Sequence, residues 1–107
     1  ARGMRVAVHH GRSAEGARET VRLIEAAGGS GATFAADLTE PDAPARLVDE
    51  VARAMGGLDV LVNSAAVMER TPVGAVTVAQ WDAMFALNLR APFFAAQAAA
   101  AVMPDGG

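Results

Sequence analysis

The chain has no cysteine and no tyrosine, and because every one of its 9 Lys-or-Arg cations is an arginine it has no lysine either. Without Cys there is no disulfide and no thiolate chemistry, which fits a reducing compartment such as the cytoplasm. Without Tyr and Lys, a step that needs a phenol or a side-chain amine cannot be carried by these residues. Aromatic residues amount to 5%, so the core must be assembled from Ala, Val, Leu and Met. Basic clusters are missing too. The net charge is −3 and the arginines are scattered, whereas nucleic-acid binding needs a concentrated basic face. No basic run flanks an apolar stretch, which argues against a membrane surface. The longest nearly apolar run, residues 91–103, is mostly alanine and contains Gln97. It is too short and too weakly hydrophobic to cross a bilayer. No secretory signal is visible, and as the chain opens at Ala1 rather than Met, residues upstream are expected.

What is present is a globular composition, 52% hydrophobic and 20% charged over 107 residues, enough for one domain spanning the whole chain. Residues 5–10, Arg5 to His10, form a short β-branched run that reads as a strand. Ser13 stands where it would cap a following helix whose stripe is Ala17, Val21, Ile24 and Gly28, with Gly28 and Gly29 as the stop. Residues 32–36 are a second strand-like run that leads to Asp37. Thr39, Pro41 and Asp42 open a second helix with Leu47, Val48, Val51 and Met55 on its apolar face, closed by Gly56 and Gly57. Residues 58–62 are almost wholly apolar, the pattern of a strand covered on both faces. A loop with Pro72 and Gly74 leads to Thr77 and Gln80, spaced as a capping box, and a long helix is predicted from there to about Met103. Strands alternating with helices predict an α/β fold with a parallel sheet and helices on both faces. Ligands of such sheets bind beyond the carboxyl ends of the strands.

Those strand ends carry the candidate site. After the first strand, Arg12 lies in the turn beside Ser13, and a guanidinium next to free helix N–H groups suits a phosphate; an isolated solvated arginine would look the same. His9 and His10 have no third partner at metal-ligand spacing, and no metal site is expected. After the second strand, Asp37 has two readings: acceptor for an adenine amino group with Leu38 covering the ring, or, with Thr39, a cap for the next helix. After the third, Asn63, Ser64 and Ala65 are small residues that let a ligand approach the backbone, although generic turn chemistry gives a similar pattern. Within the long helix, Pro92 lacks the N–H that would bond the Asn88 carbonyl, predicting a kink. Such a break costs about 3 kcal/mol unless the freed carbonyl finds another donor. Asn88 is therefore a candidate water or ligand site, the alternative being a carbonyl bonded to solvent.

In order and spacing, these pieces resemble the short-chain dehydrogenase/reductase family over essentially the whole chain. The match runs through residues 6–13, 36–38 and 58–66, then 81–89 and 91–94. The resemblance implies a Rossmann-type doubly wound parallel sheet and an NADP(H)-dependent oxidoreductase transferring hydride to or from a carbonyl or imine. It places Asp37 and Leu38 at the adenine. Asn63, Ser64 and Ala65 fall where the family has Asn-Asn-Ala-Gly, and Asn88 corresponds to the helix asparagine whose main-chain carbonyl holds a water in the proton relay. Family members with Arg at the position of Arg12 prefer NADP, because the arginine pairs with the 2′-phosphate. Ser64 and Ala66 depart from the family pattern, and the methyl of Ala66 narrows the nicotinamide side. Residues 9–14 are similar to the pteridine-reductase-like branch, but that branch carries an aromatic residue where Met68 stands, so pterin-like and other carbonyl substrates both stay open.

The family's glycine-rich loop would precede residue 5, and its catalytic Ser and Tyr-x-x-x-Lys would follow residue 107. By the resemblance these residues supply strands 2, 3 and 4 of the sheet, with the first strand and the C-terminal half outside it. Strands 2 and 4 both pair with strand 1, so the 107 residues alone are predicted neither to fold stably nor to catalyse. The competing reading is a non-catalytic, flavodoxin-like α/β binding or regulatory module. The long helix, with Trp81 and Phe85, is expected by analogy to build a homodimer or homotetramer interface.

Overall fold

The computed structural model describes residues 3–107. Strand β1 (Arg5–His10) leads through residues 11–13 into helix α1 (Ala14–Ala26), and strand β2 (Ser30–Ala35) follows. The two strands pair in parallel, Arg5 opposite Ser30 and His10 opposite Ala35, so they begin and end level. Such a pair needs a crossover, and α1 provides it by packing on both strands. Gly31 is what allows the close approach. A side-chain carbon there would lie 3.3 Å from Val21 Cγ2 and 3.3 Å from the Val6 carbonyl.

Helix α2 (Ala43–Met55) ends at Gly56 in a left-handed conformation, φ 77°, the geometry that favours glycine at this position. Its C-terminal carbonyl at Met55 accepts from Arg5 Nη2 at 2.5 Å, a cation placed where the helix dipole is negative. α2 packs on the later helix α4 (Ala91–Val102). Their buried residues are Ala43, Pro44, Val48 and Val51 on α2, and Ala91 and Ala99 on α4. Apart from Phe34 on β2, the core is made of small side chains, as the scarcity of aromatics requires.

The predicted capping box is present in full. Gln80 N–H donates to Thr77 Oγ1 at 3.1 Å and Thr77 N–H donates to Gln80 Oε1 at 2.9 Å. The single long helix predicted beyond it is instead three pieces: α3 (Val78–Phe85), a π-helical turn (Ala86–Arg90) and α4. The expected kink thus takes the form of a widened turn, with Ala91 N–H donating to the Ala86 carbonyl five residues back. Pro92, which has no N–H to give, stands directly after it. A π turn inside a helix is uncommon and recurs at functional sites.

The third strand predicted at residues 58–62 does not form. The sheet has two strands, β1 and β2, and residues 60–70 have no regular structure. Apolarity marked this segment as one meant for burial, but a strand exists only through a ladder, and no strand among the described residues lies beside it. Val60 and Val62 are accordingly 61% and 77% exposed. The radius of gyration, 15.4 Å, exceeds the about 13 Å of a closed domain of this length. Under conditions where the 107-residue chain holds the β1–β2 pair, the amides of residues 59–62 should therefore exchange with solvent at near-unprotected rates, while those of β1 and β2 are slower. Hydrogen exchange read by NMR checks this; protection at residues 59–62 equal to that of β2 would show that the segment is paired.

Candidate functional site

Because β1 and β2 end level, the segments that leave them emerge at the same rim. Ala36 N–H continues the pairing by donating to the His10 carbonyl at 3.1 Å, and His9 Nε2 reaches the Ala36 carbonyl at 2.8 Å. A carbonyl only accepts, so that ring carries its proton on Nε2. Just beyond lie Arg12 and Asp37, both exposed.

Asp37 closes a turn on itself. Its Oδ1 accepts from Thr39 N–H at 3.0 Å and from the Thr39 hydroxyl at 2.6 Å, and Glu40 N–H donates to the Asp37 main-chain carbonyl at 3.1 Å. Of the two roles open to Asp37, helix capping is removed: the residue at the N-cap of α2 is Asp42. The Thr39 hydroxyl, then its N–H, and lastly the positive charge of Arg12 hold the Asp37 carboxyl below the ordinary aspartate value. Arg12 is therefore near enough to be felt by Asp37, yet among the described residues it has no hydrogen-bond or ion-pair partner of its own. Leu38, between Asp37 and Thr39, is half-buried. Ser13 occupies the N-cap of α1 but makes no cap hydrogen bond, because its ψ of 69° lies outside the extended range that aims the hydroxyl at the first turn. Its Oγ instead lies over Gly16, where a side-chain carbon would come within 2.7 Å.

The other half of the site is organised by Asn88. Its side chain grips both polar groups of one residue: Oδ1 accepts from Val67 N–H at 2.9 Å and Nδ2 donates to the Val67 carbonyl at 2.8 Å. Asn88 thus supplies residue 67 with the two bonds a neighbouring strand would have made. The sequence pointed to the Asn88 carbonyl, not to this use of its side chain. Asn63, Ser64 and Ala65 are exposed and make no hydrogen bond among the described residues. They reach the site only as the stretch that Val67 anchors. Arg12, Asp37 and Asn63 were expected to converge; the Arg12 charge weakly lowers the Asp37 carboxyl with no bond between the two among the described residues, and Asn63 is connected to them only through Val67, Asn88 and Arg90. That link includes a residue the sequence did not single out. Arg90, the last residue of the π turn, donates from Nη2 to the Thr39 carbonyl at 2.6 Å.

The family model for short chain dehydrogenases matches residues 1–107, the whole of this chain. The chain belongs to this family. It is 34% identical over 106 residues to versicolorin reductase 1 of Aspergillus parasiticus, covering 99% of this chain and 40% of that protein. To 3beta-hydroxysteroid dehydrogenase 1 of Eggerthella lenta it is 36% identical over 93 residues, covering 87% of this chain and 36% of that one. Among solved structures, a short chain dehydrogenase from Burkholderia cenocepacia in complex with NADP superposes with a TM-score of 0.89 at 40% identity, covering 95% of this chain and 42% of that chain. The chain therefore spans about two fifths of the length of the proteins it matches. The fold class is accordingly the α/β, Rossmann-like one of the family, with the two-stranded parallel sheet as the part present here.

The Asp37 turn can be tested by itself. A carboxyl whose folded pKa is lowered contributes stability that is complete above its ordinary pKa and fades as pH falls through the lowered value. In the wild-type sequence, the Asp37 carboxyl should titrate below an ordinary aspartate in a carbon-detected NMR titration. Thr39→Val removes the hydroxyl, the largest contributor, and should move the midpoint up towards the ordinary value. An unchanged midpoint would mean that the turn does not form in solution.

Proposed function

We propose that these residues form the adenosine-side cradle and the proton-relay helix of an NADP(H)-dependent oxidoreductase acting on a small carbonyl compound. The observation that carries this reading is Arg12: a guanidinium without a protein partner among the described residues, at the end of β1 and beside Asp37. Its chemistry fits a bound phosphate, since a planar fork of N–H donors left unsatisfied by the protein is what a phosphate monoester accepts from. The Burkholderia relative in complex with NADP supports the choice of cofactor. Bound there, the nicotinamide would supply hydride chemistry. Arg12 would pair with the 2′-phosphate, Ser13 would lie beside it, and Asp37 and Leu38 would border the adenine. Asn63, Ser64 and Ala65 would line the cofactor's path along the backbone, while Asn88 would hold the water of the relay at its main-chain carbonyl.

The two-point bond of Asn88 to Val67 gives that asparagine a second duty, to keep residues 63–67 within reach of the cofactor. Met68, exposed, offers a thioether and not a ring where a pterin would stack, which favours a carbonyl compound over a pterin-like substrate. The names of the relatives, two of them a reductase and a dehydrogenase, point the same way. The 107 residues do not catalyse alone in this reading; the phenol and amine come from elsewhere in the intact enzyme. A flavodoxin-like module explains none of these residues better than the family does. Trp81, Phe85, Leu89 and Phe93 are exposed at every fourth position along the last helices, a stripe that supports a homodimer or homotetramer.

In the full-length enzyme, Arg12→Ala should raise KM for NADPH by roughly ten- to a hundredfold, the value of one charge-assisted phosphate contact, and leave KM for NADH within about twofold. Equal effects on both cofactors would remove the phosphate role. Asn88→Ala keeps the main-chain carbonyl but removes both bonds to Val67, so it should lower kcat by about tenfold as the relay water's site loses its position, with a modest rise in KM for NADPH and NADH alike. Unchanged turnover would reduce Asn88 to a structural bond.

A further inference from the structure

The turn at residues 37–40 is held to the rest of the molecule at its two ends. At one end, Ala36 is fixed to β1 by its N–H and its carbonyl, through His10 and His9. At the other, Arg90 Nη2 donates to the Thr39 carbonyl at 2.6 Å, across 51 residues of chain. The remaining bonds are internal to the turn or lead on into α2: Thr39 to Asp37, Glu40 to Asp37, and Arg46 to Glu40 at 3.0 Å. Asp37 and Leu38 lie between the two anchors. Remove the second, and they are fixed from the Ala36 side alone, with the turn's own bonds and the lead into α2.

Arg90 is itself firmly based. It closes the π turn, is half-buried, and follows Asn88 by two residues, so one short helical segment grips Val67 on one side and Thr39 on the other. The donor is charged and the acceptor is a main-chain carbonyl, a shorter and stronger bond than a neutral pair makes.

We infer that Arg90 is a positioning residue that presents Asp37 and Leu38 to the adenosine end of the cofactor and ties that end to the segment carrying Asn88. This rests on the cofactor reading above. Arg90 touches neither the phosphate nor the reacting atoms; it acts through the Thr39 carbonyl. A loop fixed before binding does not lose its freedom on binding, so the contribution belongs to affinity for the adenosine half and not to turnover.

The test uses the full-length enzyme and the probe 2′,5′-ADP, which carries the adenosine end alone, measured by calorimetry. Arg90→Met should weaken 2′,5′-ADP binding by about tenfold, roughly the value of one charge-assisted bond. KM for NADPH and for NADH should rise by a similar factor with kcat held, unlike the NADPH-selective effect of Arg12→Ala. Arg90→Lys, which keeps a donor and the charge, should restore most of the affinity. Without any ligand, the Asp37 carboxyl should titrate higher in Arg90→Met than in Arg90→Lys as the turn loosens. Binding of 2′,5′-ADP unchanged in Arg90→Met, or no recovery in Arg90→Lys, would overturn the inference. Should the unaltered enzyme fail to bind 2′,5′-ADP, the cofactor reading falls, and the Asp37 titration alone then decides whether Arg90 holds the turn.

Discussion

The in-register parallel pairing of β1 and β2 is the constraint on which the rest depends. It brings His10 and Ala35 level, so the two chains leave the sheet at one rim and Arg12 comes close enough to Asp37 to act on its carboxyl. A shift of one residue would turn every side chain of a strand to the other face. The pairing is secured by devices outside the ladder: Gly31 lets α1 lie on β2, Arg5 ties the start of β1 to the end of α2, and His9 ties the end of β1 to Ala36. Both termini of the strand pair are thus pinned.

The π turn plays the corresponding part on the opposite side. Residues two apart on a helix point in roughly opposite directions, since each step turns about 100°. Asn88 and Arg90 therefore reach away from each other, one to Val67 and one to Thr39. Two loops that share no direct bond between their side chains are fixed relative to each other through five residues of helix. An ordinary kink at Pro92 would have freed a carbonyl; the wider turn also repositions the side chains that do the gripping.

Most of the first half was legible from residue type and period. Strands β1 and β2, helices α1 and α2 and the Thr77–Gln80 box follow local rules: β-branched runs, an apolar stripe, a glycine where a left-handed stop is needed. What escaped depends on partners distant in sequence. Residues 58–62 carry the composition of a covered strand, but composition cannot supply the neighbour that a ladder requires. Asp37 had two readings, of which its bonds to Thr39 and the placement of Asp42 at the cap remove helix capping. Ser13 sits at the cap position without capping, because a backbone angle and not the residue type aims the hydroxyl. Arg90 gave no signal at all: nothing in a lone arginine of a helical pattern announces a carbonyl 51 residues earlier.

The last helices carry a single strong fluorophore. Trp81 is the sole indole, there is no tyrosine, and its ring stacks on Phe85 with centroids 4.5 Å apart on the exposed stripe. Near-ultraviolet emission from these residues consequently originates at one spot, so its colour and quenching report the wetting or covering of that helix face without interference from the side chains at the strand ends.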